Sequence, residues 1–241
     1  MPPFEYGSER EKGEVFGQPC SQCELAELSF CAGLSAADIL KLTAILGHVQ
    51  LPAHNTVFRE GDPALYLYSI TAGTVKLYKL LSDGRRQITA FLFPGDFFGL
   101  AIDGGYAYTA ESLTPVALCR FPRRKLEQVL EEVPRLEKRL LSLAIDELAA
   151  AHEQMLMLGR KTAREKVASF LMMLSRRAAQ RNLSPTTLAL PMSRSDIADY
   201  LGLTIETVSR TLTQLKREEV IALPDSTHVV LRFSDDLKRL A

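Results

Sequence analysis

Residues 192–212, MSRSDIADYLGLTIETVSRTL, constrain this chain more than any other stretch. Their spacing predicts two short helices joined at Gly202. Ser193 stands where an N-cap belongs, and Asp196 three residues on completes a capping-box-like pair. Gly202 stands where the chain must leave the first helix at positive φ, and Thr204 is placed to cap the second. Ile197, Ala198 and Leu201, then Val208, Leu212 and Leu215, put one apolar face of each helix inward. Ile205, Glu206, Ser209 and Arg210 are left outward near the start of the second helix. This is the pattern of a helix-turn-helix, whose second helix enters the DNA major groove. The side chains suit that groove. Arg210 can bond a guanine bidentately, Glu206 can accept from a cytosine amine, and Ser209 can reach a base or a phosphate. Ser193, Thr204 and Thr207, at the two helix starts, complete the expected DNA-contacting set. A surface helical hairpin could share Glu-x-x-Ser-Arg, but not the capping, the glycine turn and the reading face together.

The chain's 241 residues hold two modest domains and a connector, at about 100–200 residues per domain. With 46% hydrophobic and 24% charged residues, the composition is that of a soluble globular protein. No apolar run of about 18 residues is present, so no membrane span is expected. The N-terminus lacks a basic region followed by an apolar core, so a cytoplasmic location is expected. The net charge of zero conceals an asymmetry. Residues 160–241 carry 14 Lys+Arg against 9 Asp+Glu, leaving 15 against 20 for residues 1–159. A basic C-terminal part on an acidic N-terminal part fits a nucleic-acid module attached to something else. No nucleophile–base pair, phosphate loop or paired carboxylates suggest an enzyme.

In chain order, residues 1–18 read as a flexible arm, and residues 19–33 carry Cys20, Cys23 and Cys31. A helix over 34–46, capped by Ser35, opens a β domain extending to about residue 130. Between Val49 and Phe121, short strands alternate with turns marked by Gly61, Gly73, Gly84, Gly95 and Gly99, as in an all-β barrel or roll. Ser82-Asp83-Gly84 marks a tight hairpin between the alternating strands Val75–Tyr78 and Gln87–Phe91. Pro134 opens a long helix over 134–159, in which Leu141, Ala144, Leu148, Ala151, Met155 and Leu158 follow the seam spacing of a two-stranded coiled coil. That seam predicts a homodimer, as expected for a reader of two DNA half-sites. Residues 160–241 read as a helix over 161–180, the helix-turn-helix, and a two-stranded wing around Pro224-Asp225-Ser226. The expected fold class is α+β: an N-terminal β-roll, a long dimerisation helix and a C-terminal winged helix-turn-helix.

Cys20, Cys23, Cys31 and Cys119 form the chemical constellation. A C-x2-C pair holds two sulfurs on one short loop, suited to zinc or an iron–sulfur site. Cys119, on the last predicted strand, is the remaining candidate for a fourth ligand. A disulfide framework is disfavoured in a cytoplasmic chain. Spacing alone does not choose between zinc and a cluster, and reversible thiol oxidation is a third option.

These segments together resemble the CRP/FNR superfamily of transcription regulators, in its FNR branch. The resemblance runs from Cys20 onward. It is carried by Gly61-Asp62, Gly73-Thr74-Val75-Lys76, Pro94-Gly95-Asp96, Leu174-Ser175-Arg176-Arg177, Tyr200-Leu201-Gly202-Leu203-Thr204 and Glu206-Thr207-Val208-Ser209-Arg210. It implies a cyclic-nucleotide-binding-like roll and an oxygen-labile 4Fe-4S cluster on Cys20, Cys23, Cys31 and Cys119. It also implies that the cluster promotes dimerisation at low oxygen, and that the dimer binds a TTGAT-type inverted repeat, with molecular oxygen as the signal. Glu206, Ser209 and Arg210 match the family's base-reading positions.

The C-x2-C-x7-C spacing resembles FnrN/FixK-like members, which implies control of microaerobic or nitrogen-fixation genes; the enterobacterial member has a shorter spacing. Glu24, beside Cys23, changes the charge near the site. Asp83-Gly84-Arg85-Arg86 occupies the hairpin that meets RNA polymerase in the family, and here it is basic. The CRP branch binds cyclic AMP through a carboxylate and an Arg-Ser or Arg-Thr pair. Residues 100–109 contain no arginine to hold the cyclic phosphate, so cyclic AMP is disfavoured. His48, His54, His152 and His228 are scattered and read as surface residues rather than haem ligands.

Overall fold

The computed structural model describes residues 20, 23, 25, 28–232, 237 and 240. The arm expected at 1–18 and the charge at Glu24 lie outside the described residues. After α1 (Ala36–Thr43), the chain forms β1 (Gly47–Leu51), β2 (Thr56–Phe58), β3 (Tyr66–Ala72), β4 (Val75–Leu80) and β5 (Arg86–Leu92). It continues through β6 (Phe97–Phe98), β7 (Ala101–Ile102), β8 (Gly105–Tyr106), β9 (Thr109–Ser112) and β10 (Val116–Pro122). Two helices follow, α2 (Arg123–Glu132) and the 27-residue α3 (Pro134–Arg160). The C-terminal part comprises α4 (Ala163–Gln180), β11 (Thr187–Ala189), α5 (Arg194–Leu201), α6 (Ile205–Arg217), β12 (Ile221–Ala222) and β13 (His228–Leu231).

Two four-stranded antiparallel sheets, ordered β1-β10-β3-β6 and β2-β9-β4-β5, face each other as the roll. Their inner faces bury Phe58, Tyr68, Ile70, Val75, Leu77, Leu92, Phe98, Tyr106, Val116 and Leu118. The outer faces are buried too. Leu67 and Phe121 on the first sheet pack with Phe30, Leu42 of α1, Leu126 and Val129 of α2, and Leu136 of α3. On the second, Tyr78, Ile88, Phe91 and Phe93 join Phe170, Leu171, Ile197 and Leu201 in one cluster. The apolar core therefore crosses from the roll into the helix-turn-helix part. Burying each large apolar side chain contributes roughly 1.5–3 kcal/mol, so this shared cluster holds the two parts together.

The strand pattern departs from the sequence reading in one consequential place. Strict alternation over residues 87–91 would put Ile88 and Phe91 on opposite faces. Instead, the β4–β5 ladder pairs Tyr78 with Ile88 and Leu77 with Ala90, leaving Thr89 as an unpaired extra residue. This bulge turns Ile88 and Phe91 to the same outer face. Two other elements went unread. Helix α2 starts without a side-chain cap at Pro122, and β11 adds a third strand to the expected two-stranded wing, in the order β11-β13-β12. The predicted Ser35 cap and the Leu81–Arg85 hairpin are both present.

Gly73 and Gly84 both adopt positive φ, +83° and +85°, but differ in their surroundings. A Cβ at Gly73 would lie 2.2 Å from the Pro115 carbonyl oxygen, whereas one at Gly84 meets open space. Gly84→Ala is expected to cost about 1–2 kcal/mol, the left-handed penalty alone. Gly73→Ala adds a backbone collision and should cost about 4 kcal/mol or more. Thermal or urea unfolding of the two variants side by side checks the difference.

Candidate DNA-reading face and thiol cavity

The helix-turn-helix forms from local chemistry. Ser193 Oγ accepts from the Asp196 amide at 3.0 Å, and Asp196 Oδ2 accepts from the Ser193 amide at 3.1 Å, closing the capping box. Gly202 turns the chain at φ 61°, ψ 44°. Thr204 Oγ1 accepts from the Thr207 amide at 3.1 Å, and the two hydroxyls lie 2.9 Å apart. Ile197, Ala198, Leu201, Val208, Leu212 and Leu215 are all buried, at 3% exposure or less. The outward positions Glu206, Ser209 and Arg210 are exposed on α6. They share one groove with Thr213, Gln214 and Arg217, which the sequence reading missed. The signal was available, because these three continue the i, i+3, i+4 spacing from Glu206. Gln214 Nε2 donates to Glu218 Oε1 at 3.0 Å, and Arg164 on α4 binds the same carboxylate. Ser193, Thr204 and Thr207 lie at the two helix starts, with their hydroxyls engaged in the caps.

Helix α3 presents two unlike faces. Leu136 is buried, and Leu140 and Leu143 pack on the cluster around Phe30. On the other side Leu141, Ile145, Leu148 and Met155 are 56–61% exposed. Of the remaining predicted seam residues, Ala151 is exposed and Ala144 is half-buried. Leu158 faces inward, its Cδ2 lying 3.2 Å from where a Cβ on Gly202 would stand. Ile145 thus belongs to the exposed stripe, while Leu158 touches the reader.

All four cysteines line one cavity, with Leu25, Ile39, Leu42, Leu46, Ile70 and Phe121 as apolar walls. Cys119 reaches it because β10 turns Cys119 and Phe121 outward while Leu118 points into the roll. Cys20 and Cys23 come from a turn in which the Cys23 amide donates to the Cys20 carbonyl at 3.4 Å. The four thiols are free of disulfides. Burial pushes the Cys31 thiol up to about 11, with the neighbouring Cys20 adding to the effect. Burial likewise pushes Cys119 up to about 12, reinforced by Cys20, Cys31 and Cys23. Among the described residues, no three His, Cys, Asp or Glu side chains are placed to hold a single metal ion. The donors in this cavity are sulfur, the chemistry of a zinc or an iron–sulfur site.

The interior of the roll is filled with aromatic rings. Phe58 stacks on Tyr106 with centroids 3.6 Å apart, and Tyr68 stacks on Phe98 at 5.3 Å. Arg123 is held against the Ala64 and Gly99 carbonyls at 2.6 and 2.7 Å.

Residues 48–133 match the cyclic nucleotide-binding domain family, and residues 165–240 match the Crp-like helix-turn-helix domain. The chain is 42% identical to the nitrogen fixation regulation protein FixK of Bradyrhizobium diazoefficiens over 210 residues, covering 87% of this chain and 89% of that protein. It is 39% identical to the transcriptional activator protein FnrL of Cereibacter sphaeroides, over 88% of this chain and 87% of the relative. The solved structure of FixK2 from Bradyrhizobium japonicum superposes with a TM-score of 0.77 at 39% identity, covering 81% of this chain and 97% of that one. No helix among the described residues is long and apolar enough to cross a membrane. The chain is a DNA-binding transcription regulator of the CRP/FNR family, of FixK/FNR type.

Proposed function

We propose that this regulator responds to oxygen through a 4Fe-4S cluster held by Cys20, Cys23, Cys31 and Cys119, and that the loaded protein binds as a homodimer to a TTGAT-type inverted repeat. The observation that carries this reading is the shared cavity: a strand-borne thiol meets three thiols from the N-terminal segment, within apolar walls. A bound cluster supplies an iron–sulfur centre that oxygen degrades. Four cysteine thiols in one cavity match the ligand number of a 4Fe-4S cluster.

The chain's own residues link that cavity to dimerisation. Phe30, beside Cys31, packs in the cluster that holds Leu136 and is lined by Leu140 and Leu143. Arg139, from the same helix, donates to the Ser29 carbonyl at 3.4 Å. Resetting the Cys20–Cys31 segment therefore bears directly on α3, whose opposite face exposes Leu141, Ile145, Leu148 and Met155. The same stripe on a second copy covers them, placing two α6 helices toward half-sites about 34–36 Å apart. Glu206, Ser209 and Arg210 read base edges, while Arg217 faces a phosphate. The aromatic filling of the roll supports a signal other than cyclic AMP. At the polymerase-facing hairpin, Asp83 and Arg85 remain exposed, paired at 2.8 Å, while Arg86 turns inward.

Protein purified without oxygen is expected to carry about four iron and four sulfide per chain, with a visible band that bleaches in air. Cys119→Ser should lose both; zinc in place of iron, with no colour, would overturn the sensor reading. Arg210→Ala should lose about 1–3 kcal/mol of discrimination at the guanine it reads, measured by anisotropy on matched and substituted half-sites. A resting thiol switch is a poorer reading, because buried thiols held high are sluggish nucleophiles. At pH 8 a thiol at 9.0 is about one-tenth ionised, and one at about 11 about one-thousandth. Iodoacetamide should therefore modify Cys31 in metal-free folded protein roughly a hundredfold more slowly than in unfolded protein, and faster as pH rises.

A further inference from the structure

Five charged side chains outside the DNA-reading face and the thiol cavity meet where the roll touches the helix-turn-helix. Lys76, on the outer face of β4, is 4% exposed. Its Nζ lies 3.0 Å from Glu111 Oε1 on the neighbouring strand and 3.0 Å from Asp196 Oδ1 on α5. Arg86, opening β5, donates from Nε to Asp199 Oδ2 at 2.8 Å and from Nη2 to Asp196 Oδ1 at 3.0 Å. Asp196 is also the residue that closes the α5 capping box. Beside them, Gln87 Nε2 donates to the Tyr200 carbonyl at 3.3 Å.

Three features give this cluster a directional role. The apolar patch around Phe91 supplies adhesion, but apolar contact is non-directional. A guanidinium fork on two carboxylates one helical turn apart fixes an angle as well as a distance. The face of α5 so gripped is not the reading face, since Glu206, Ser209 and Arg210 stay exposed while it is held. Finally, the gripped strand touches the long helix, because Gln154 Nε2 of α3 donates to the Ile88 carbonyl at 3.2 Å. A continuous path of contacts therefore runs from α3 through β5 to α5 and on to α6.

We propose that Lys76 and Arg86 are positioning residues that, through Asp196 and Asp199, fix the angle of the reader on the roll and thereby set the half-site spacing the dimer accepts. This rests on the dimeric reading above. With the fork intact, two readers on a paired α3 stem present α6 at one separation. Without it, each reader pivots on its apolar patch and tolerates a range of separations.

The test uses the full chain, loaded and dimeric, and fluorescence anisotropy on four duplexes: the inverted repeat, versions with one base pair added or removed between half-sites, and a single half-site. Wild type should bind the respaced duplexes at least tenfold more weakly than the repeat. Arg86→Ala should narrow that ratio below threefold, with single-half-site affinity unchanged. The exchange Arg86→Asp with Asp199→Arg should restore the ratio. A ratio that stays at the wild-type value in Arg86→Ala overturns the proposal. So does an equal loss on every duplex, which marks Arg86 as serving only the fold of α5. If wild type binds one half-site as well as two, the dimeric reading itself has failed, and the spacing role with it.

Discussion

A β-roll of two sheets ordinarily buries its inner faces and leaves the outer ones wet; this chain buries the outer face of β4–β5 as well, and one unpaired residue makes that possible. Thr89 interrupts the ladder between Ala90, opposite Leu77, and Ile88, opposite Tyr78. Leu77, Ala90 and Leu92 stay with the roll interior, while Tyr78, Ile88 and Phe91 form a patch on which Phe170 and Tyr200 pack. Lys76 lies opposite Phe91 on that outer face. An ammonium covered by the docked reader requires acceptors, since an unpaired buried charge is far costlier than a paired one. Asp196 provides one because its cap already holds it in place. Burial alone would raise the Asp196 carboxyl, but hydrogen bonds from Ser193 and Lys76 bring it below its ordinary value.

The opposite sheet repeats the device with different chemistry. Strand β10 sends Val116 and Leu118 inward and Cys119 and Phe121 outward, so the fourth thiol arrives on the same surface that seats Phe30, α1 and α2. Helix α3 walls this second outer core with Leu136, Leu140 and Leu143, and carries its uncovered stripe on the far side. Close-packed interiors transmit displacement rather than absorb it. The Cys31 segment therefore bears on α3 near its start, and β5 bears on it near its end through Gln154. One helix thus touches Ser29 in the wall of the thiol cavity, carries the uncovered stripe and meets the strand that grips the reader.

What could be read from the residues alone follows how local each determinant is. The helix-turn-helix is coded within a dozen residues by Ser193, Asp196, Gly202 and Thr204, and each occupies the position expected of it. The Thr89 bulge is a property of two strands in register, and nothing in Gln87–Phe91 alone announces it. Strand β11 exists only by pairing with β13, and α2 begins at Pro122 without a capping side chain. The shared cavity of the four cysteines was legible as a grouping by residue type; how Cys119 reaches it depends on the two-faced packing of β10. Leu158 follows the heptad spacing and also meets Gly202, a contact between elements distant in the chain that no local pattern encodes.

The basic hairpin shows the same limit from the other side. As a sequence, Asp83-Gly84-Arg85-Arg86 departs from the family at a surface expected to meet RNA polymerase, and the departure reads as altered activation. In three dimensions the two arginines part company. Arg85 folds back on Asp83 at the exposed tip, so the tip carries little net charge and is flanked by exposed Leu80 and Leu81. Arg86, one residue along a strand, points the other way, over the Tyr78 ring and onto Asp196 and Asp199. Arg85 belongs to the turn and Arg86 opens β5, so a pair of like charges in sequence is split between two unrelated tasks. The second arginine is then accounted for from within the molecule, by carboxylates on α5 more than 100 residues further along the chain.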